Sequence, residues 1–166
     1  MTLSEKLKEY YASGGEDVSL STLEFRHSSW DENIYIVRDW EDLEANLEGN
    51  GPLTTFRKYS FSIKGPEKDT QGRRYIEIAV DNVSREFITL IEKAVLEGNQ
   101  TPITVIYREY LESDKTGPQN DPPLVLYLSD ISVNMLKVTG RAEIASLINR
   151  RFPRVVYDER FRGLFN

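Results

Sequence analysis

Apolar and polar residues alternate in short runs along most of this chain, and the runs are separated by clusters rich in Gly, Pro, Asn and Asp. Period two marks a strand with one face on a core. The clearest case is Arg73–Ser113, which reads as strand, helix, strand. Ile76, Ile78 and Val80 alternate with Tyr75, Glu77, Ala79 and Asp81, so the apolar triplet is predicted to face the core. Asn82 or Ser84 can cap a helix carrying Phe87, Ile88, Ile91, Ala94 and Val95, which Gly98-Asn99 ends. Ile103, Val105 and Tyr107 then alternate with Thr104, Ile106 and Arg108. A connection of this length suits a parallel strand pair with a right-handed crossover. A helix plugging one end of a β-barrel is the competing geometry.

Other runs are shorter. Val18–His27 is predicted as a strand with Leu23 and Phe25 on one face, and Ile34–Val37 follows the polar turn SSWDEN. Trp40–Leu47 suits a helical turn or a strand. Phe56–Lys64 places Tyr59, Phe61 and Ile63 on one face, before a polar loop from Gly65 to Gly72. Lys115–Pro123 is a loop. Leu124–Val133 is a strand with Leu124, Leu126 and Leu128 on one face, and the apolar phase slips between Met135 and Leu136. A turn or bulge there would make a hairpin with the next strand, Lys137–Ile144. Ala145–Arg151 suits a helical turn, and the chain beyond reads as an irregular arm. At the front, Thr2-Leu3-Ser4-Glu5 fits a capping box. Leu3, Leu7 and Tyr10 or Tyr11 continue at helical spacing until Gly14-Gly15. The expected organisation is a helix over 1–15, a β-rich domain over 16–149 and an arm over 150–166. The expected fold class is α+β, a β-rich sandwich or distorted barrel with one central helix and a short N-terminal helix.

Composition narrows the chemistry. At 166 residues, one domain with one core is the simplest arrangement. No apolar run approaches the roughly 20 residues of a membrane helix, and the opening MTLSEKLKEYY lacks the layout of a signal peptide, so neither membrane insertion nor secretion is expected. There is no cysteine and one histidine, His27. That excludes disulfides, iron–sulfur clusters, thiolate zinc sites and cysteine nucleophiles within this chain. His27 lies close to Ser28 and Ser29, but neighbours on one strand end do not supply a catalytic triad. Glu67, Lys68 and Asp69 read as a solvated turn. Asp114 and Asp121 flank a Gly-containing loop without EF-hand spacing. No phosphate loop or dinucleotide fingerprint occurs. No catalytic, cofactor-binding or metal-ligating residue is therefore assigned, and no enzyme activity is expected.

The formal charge of −6 is uneven. Residues 150–162 carry Arg150, Arg151, Arg154, Arg160 and Arg162 against Asp158 and Glu159, so the body is more acidic than the mean and the arm is basic. Phe152, Tyr157, Phe161 and Phe165 interleave with those arginines. Arginine and large aromatics are the types enriched in interface hot spots. Single-stranded nucleic acid selects the same mixture, but the acidic body disfavours it. A protein partner is expected instead. The predicted interface residues are Phe152, Arg154, Tyr157, Arg160, Phe161, Arg162 and Phe165, with Trp30, Trp40, Leu3, Leu7 and Tyr10 as lesser candidates.

The runs LEFRHSSW, YSFSIKGPEKDTQGRRYIEIAVDN, PITVIYREYLESD and LVLYLSDISVNMLKVTGRAEIASLINRRFPRVVYD resemble a tailed-phage protein family known only as a domain of unknown function. The likeness runs from about Leu20 through the arm. More distantly, the order IEIAVDN, helix, ITVIYREYLESD is similar to the hub domain of the lambda-type minor tail protein L. That resemblance implies a baseplate hub-like fold and a structural virion protein of the tail tip, made in the host cytoplasm. It implies a homotrimeric ring between the distal tail protein and the central tip or fibre protein, around the end of the tape measure protein. The lambda-type protein also carries a cysteine-rich domain with an iron–sulfur cluster; a chain without cysteine cannot hold it, so no cofactor is expected. An adaptor or chaperone of tail assembly, not retained in the particle, is the alternative, and a cell-wall hydrolase a third.

Overall fold

The computed structural model describes residues 2–3, 8, 12, 17–48, 51–68, 74–81, 84–96, 102–134 and 137–144. The alternating runs become strands β1 (Thr2–Leu3), β2 (Ser19–Arg26), β3 (Ile34–Val37), β4 (Leu43–Asn46), β5 (Leu53–Lys58), β6 (Ser60–Lys68) and β7 (Arg74–Asp81). Helix α1 (Arg85–Leu96) follows, then β8 (Ile103–Leu111), β9 (Asn120–Asp121), β10 (Leu124–Val133) and β11 (Lys137–Ile144). Nine strands form one mixed sheet in the order β4-β5-β3-β2-β8-β10-β11-β7-β6, and β1 pairs separately with β9. Every pairing in the large sheet is antiparallel except β3 with β5.

This overturns the expected fold class. The strands make one continuous sheet rather than the two of a sandwich. Its order ends at β4 and β6, yet β5 and β6 are separated only by Tyr59, so the sheet curls until its two ends adjoin. The N-terminal helix expected over 1–15 is not seen as such: Thr2–Leu3, including Leu3, is a strand, Lys8 and Ala12 are helical among the described residues, and Leu7 and Tyr10 lie outside them. The parallel β7–β8 pair is likewise absent. β11 and β10 lie between those strands. A crossover rule constrains handedness once two strands are neighbours; it does not make them neighbours. The loop placed at Gly65–Gly72 is shorter, because β6 runs to Lys68 and pairs with β7 from Arg74, through a register shift between Lys64 and Glu67. β10 and β11 do form the expected hairpin. Their register slips at Ser129/Ser132, where Asp130 takes φ 48°. Met135 and Leu136 themselves lie outside the described residues.

One apolar cluster takes Leu23 and Phe25 from β2, Ile36 from β3, Phe61 from β6, and Ile76, Ile78 and Val80 from β7. It also takes Ile103 and Val105 from β8, Leu126 and Leu128 from β10, and Val138 from β11. A sheet whose far strands share one cluster must curl around it. Helix α1 covers that cluster with Phe87, Ile91 and Ala94. Ser84 caps it, its hydroxyl accepting from the Phe87 amide at 3.2 Å. With 12 residues, α1 is too short to persist alone. Each large side chain it buries contributes about 1.5–3 kcal/mol. Phe87 meets Phe25 edge-on at 5.5 Å, and the Trp30 indole donates to the Leu90 carbonyl at 3.0 Å.

A second, smaller cluster lies on the other face of β2 and β8. It consists of Leu20, Val37, Leu43, Ala45, Phe56 and Tyr110. The β4–β5 hairpin supplies three of these and covers that face, so the middle of the sheet has packing on both sides. Consecutive strands β5 and β6 sit near opposite ends of the sheet with only Tyr59 between them. The Tyr59 amide donates to the Val37 carbonyl at 2.9 Å.

Candidate functional site

Two features stand out from the framework. The first is a buried set of charges beneath the β4–β5 hairpin. Thr22 and Arg108 are cross-strand partners, which puts Glu24, two residues on, diagonal to Arg108 on the same face. The side chains of Arg108 and Glu24 are both 0% exposed. Arg108 Nη1 lies 2.7 Å from Glu24 Oε2. On the other side, Arg108 Nε donates to Glu48 Oε1 at 2.6 Å and Nη2 lies 2.6 Å from the same oxygen. With the directed Nε bond, these short charged contacts hold the guanidinium between the two carboxylates.

Glu24 has further partners. Arg26 donates to both of its carboxylate oxygens, through Nε and through Nη2 at 3.0 Å, and the Asn33 amide donates at 2.9 Å. Burial pushes the Arg108 pKa down, but the hydrogen bond to Glu48 and the charge of Glu24 outweigh it, and the net shift is upward. Burial likewise pushes the Glu48 carboxyl up, and Arg108 more than offsets this, holding it below its ordinary value. Arg108 and Glu48 are therefore charged, and the two arginines and two glutamates are committed to one another. Tyr110 lies alongside, its hydroxyl donating to the Asn46 carbonyl at 3.0 Å, and burial pushes its pKa far up. This constellation ties β4–β5 to the sheet. It offers no free base, acid or nucleophile.

The second feature is a surface cleft of about 500 Å3 lined by Arg38, Asp39, Trp40, Lys58, Tyr59, Ser60 and Asp81. It opens where the chain leaving β3 diverges from the bend between β5 and β6. Asp42 fixes that divergence, its carboxylate accepting from the Lys58 amide at 2.8 Å. The Arg38 guanidinium stands 5.9 Å from the centroid of the Phe61 ring. The Trp40 side chain is 91% exposed, the most exposed large apolar side chain among the described residues. Its amide is held by the Asp39 carboxylate at 2.7 Å.

The predicted interface residues separate accordingly. Trp40 is at the surface and lines the cleft. Trp30 is buried under α1 and belongs to the main core. Leu3 is in β1, opposite Asn120. Leu7, Tyr10, Phe152, Arg154, Tyr157, Arg160, Phe161, Arg162 and Phe165 lie outside the described residues. His27 follows β2, buried, with its Nδ1 2.8 Å from the Ser29 hydroxyl and its ring against Trp30. Among the described residues, no group of three or more His, Asp or Glu side chains is placed to hold a metal ion. The residues missed from sequence are Glu24, Glu48 and Arg108, together with Arg38, Tyr59 and Asp81 at the cleft. One signal for the first group was available: Ile106, Arg108 and Tyr110 share a strand face opposite Ile103 and Val105. A strand with large apolar side chains on both faces is covered on both, and an arginine there needs carboxylates.

No curated protein matches this sequence. Residues 5–157 match the family model described as "Domain of unknown function (DUF1833)". A match over that much of the chain places it in the family, and this protein is a member of the DUF1833 domain family.

Proposed function

We propose that this chain is a structural subunit of a tailed-phage tail tip. In this reading it forms a cyclic ring, a trimer by resemblance, that joins the distal tail protein to the central tip or fibre protein around the end of the tape measure protein. Its role is mechanical rather than catalytic, and it acts in the virion after synthesis in the host cytoplasm. It calls for no cofactor, nucleic acid or membrane.

The observation that best supports the reading is a cleft at the junction of β5 and β6 with a fully presented tryptophan. An exposed Trp is a poor surface residue and a good interface anchor. The phage context comes from the likeness of the sequence runs quoted above.

Mass spectrometry of purified particles tests the proposal. The expected result is this protein in the particle at half the copy number of a six-fold distal ring protein. Its absence from finished particles would favour an assembly adaptor and overturn the structural role. A cleared zone on a cell-wall zymogram would overturn the non-catalytic reading.

A further inference from the structure

We infer that the Trp40 cleft is the receptor for residues 150–166 of a second copy of this chain, so that copies join head to tail. The inference rests on the ring-subunit reading and names the partner at its interface.

The cleft presents a tryptophan face flanked by acids. Asp39, Glu41, Asp42 and Glu44 are all exposed, on the loop that forms one wall of the cleft and the first residues of β4. Arg38 and Lys58 are the cations of the lining, and Arg38 is turned toward the Phe61 ring. The segment 150–162 supplies five arginines against two acids, and residues 150–166 interleave Phe152, Tyr157, Phe161 and Phe165. An arginine can stack on the Trp40 ring while a carboxylate takes its N–H groups. An aromatic side chain can enter the space between Trp40 and Tyr59.

Geometry selects the second copy over the same one. Lys137 at the start of β11 pairs with Asp81, which lines the cleft. β11 then runs away from the cleft to Ile144, about 23 Å at the rise of a strand. The segment beyond Ile144 thus sets out from the far end of the sheet. To reach its own cleft it must reverse and retrace that length; to reach the next subunit it continues outward. A contact between unlike surfaces, repeated, gives a ring where its rotation closes.

The lack of cysteine makes the test clean. One full-length variant carries Asp39→Cys, at an exposed position, and another Gly163→Cys, and the two are mixed under mild oxidation. The expected result is a mixed disulfide dimer forming at least about tenfold faster than either like-with-like dimer. A chain carrying both substitutions should give a ladder of linked multimers. If that chain instead gives only a fast-migrating internally linked monomer, the segment binds its own cleft and the inference is overturned. If the wild-type chain self-associates but no mixed dimer forms, the receptor is elsewhere while the ring reading stands. If the wild type stays monomeric at all concentrations and in purified tail tips, the ring reading itself fails. Trp40→Ala should weaken self-association about tenfold or more, with an unchanged melting transition to show that the fold is intact.

Discussion

Replacing Arg108 by methionine would leave the Glu24 carboxylate in an apolar site without its most buried partner. Both side chains are 0% exposed and 2.7 Å apart at their closest. Breaking one side of a buried ion pair costs about 3–5 kcal/mol, because the remaining charge stays desolvated. Glu24 would keep Arg26 and Asn33, and Arg26 is partly exposed, so the lower end applies: about 3 kcal/mol. With a urea slope of about 2 kcal/mol/M, the midpoint should fall by about 1.5 M. Glu48→Gln touches the same guanidinium from a side chain 40% exposed and should cost about 1 kcal/mol or less. The double variant Glu24→Gln, Arg108→Met removes both charges and should regain at least about 1 kcal/mol over Arg108→Met alone. Amide exchange should localise the damage to Leu43–Asn46, which Arg108 ties down through Glu48. A midpoint for Arg108→Met within about 0.3 M of wild type would refute the reasoning, as would a double variant no better than additive.

Acid should loosen the same hairpin. The Glu48 carboxyl is held below its ordinary value of 4.5, so its contribution is present above that pH and is lost as pH falls through the folded value. The stability gap between wild type and Glu48→Gln should therefore narrow from neutral pH to about pH 3, read as urea midpoints. Gly140→Ala should destabilise by about 1–3 kcal/mol, because an added Cβ would stand 2.8 Å from Leu128 Cδ1 and 3.0 Å from its Cγ; pairing it with Leu128→Val should recover part of that loss in a thermal melt. Ser84→Ala should cost about 1 kcal/mol through the lost cap, with faster exchange of the Phe87 amide as its local signature.

Alternation identified most strands because each has one side on a core and the other less covered. That held for Leu23 and Phe25, for Ile76, Ile78 and Val80, and for Leu126 and Leu128. The cap of α1 was legible too, since Ser84 acts through a bond three residues away. Pairing was not legible. Nothing local in β7 or β8 says that β10 and β11 will insert between them, because that choice is made by the whole apolar surface at once. Trp40–Leu47 was ambiguous for a related reason: a four-residue strand gives too few positions to distinguish periods. The two tryptophans show the same limit at the site. Trp30 and Trp40 are alike in sequence context, and only their neighbours in space make one a core residue and the other a surface one. Arg108 was visible as a residue but not as a partner of Glu24, 84 positions away by residue number.

The parallel ladder between β3 and β5 has only two register positions, Ile36↔Arg57 and Val37↔Lys58. So short a ladder would dissociate at once if its strands met as independent segments. β5, however, is tethered through Tyr59 to β6, and β6 is zipped along β7. Once that zipper forms, β5 is delivered to β3 at a local concentration set by a single-residue leash, and almost no loop entropy remains to be lost. The seam beside the cleft is therefore held by its tether and by the packing of Phe56 against Tyr110 and Val37 more than by its own two register positions.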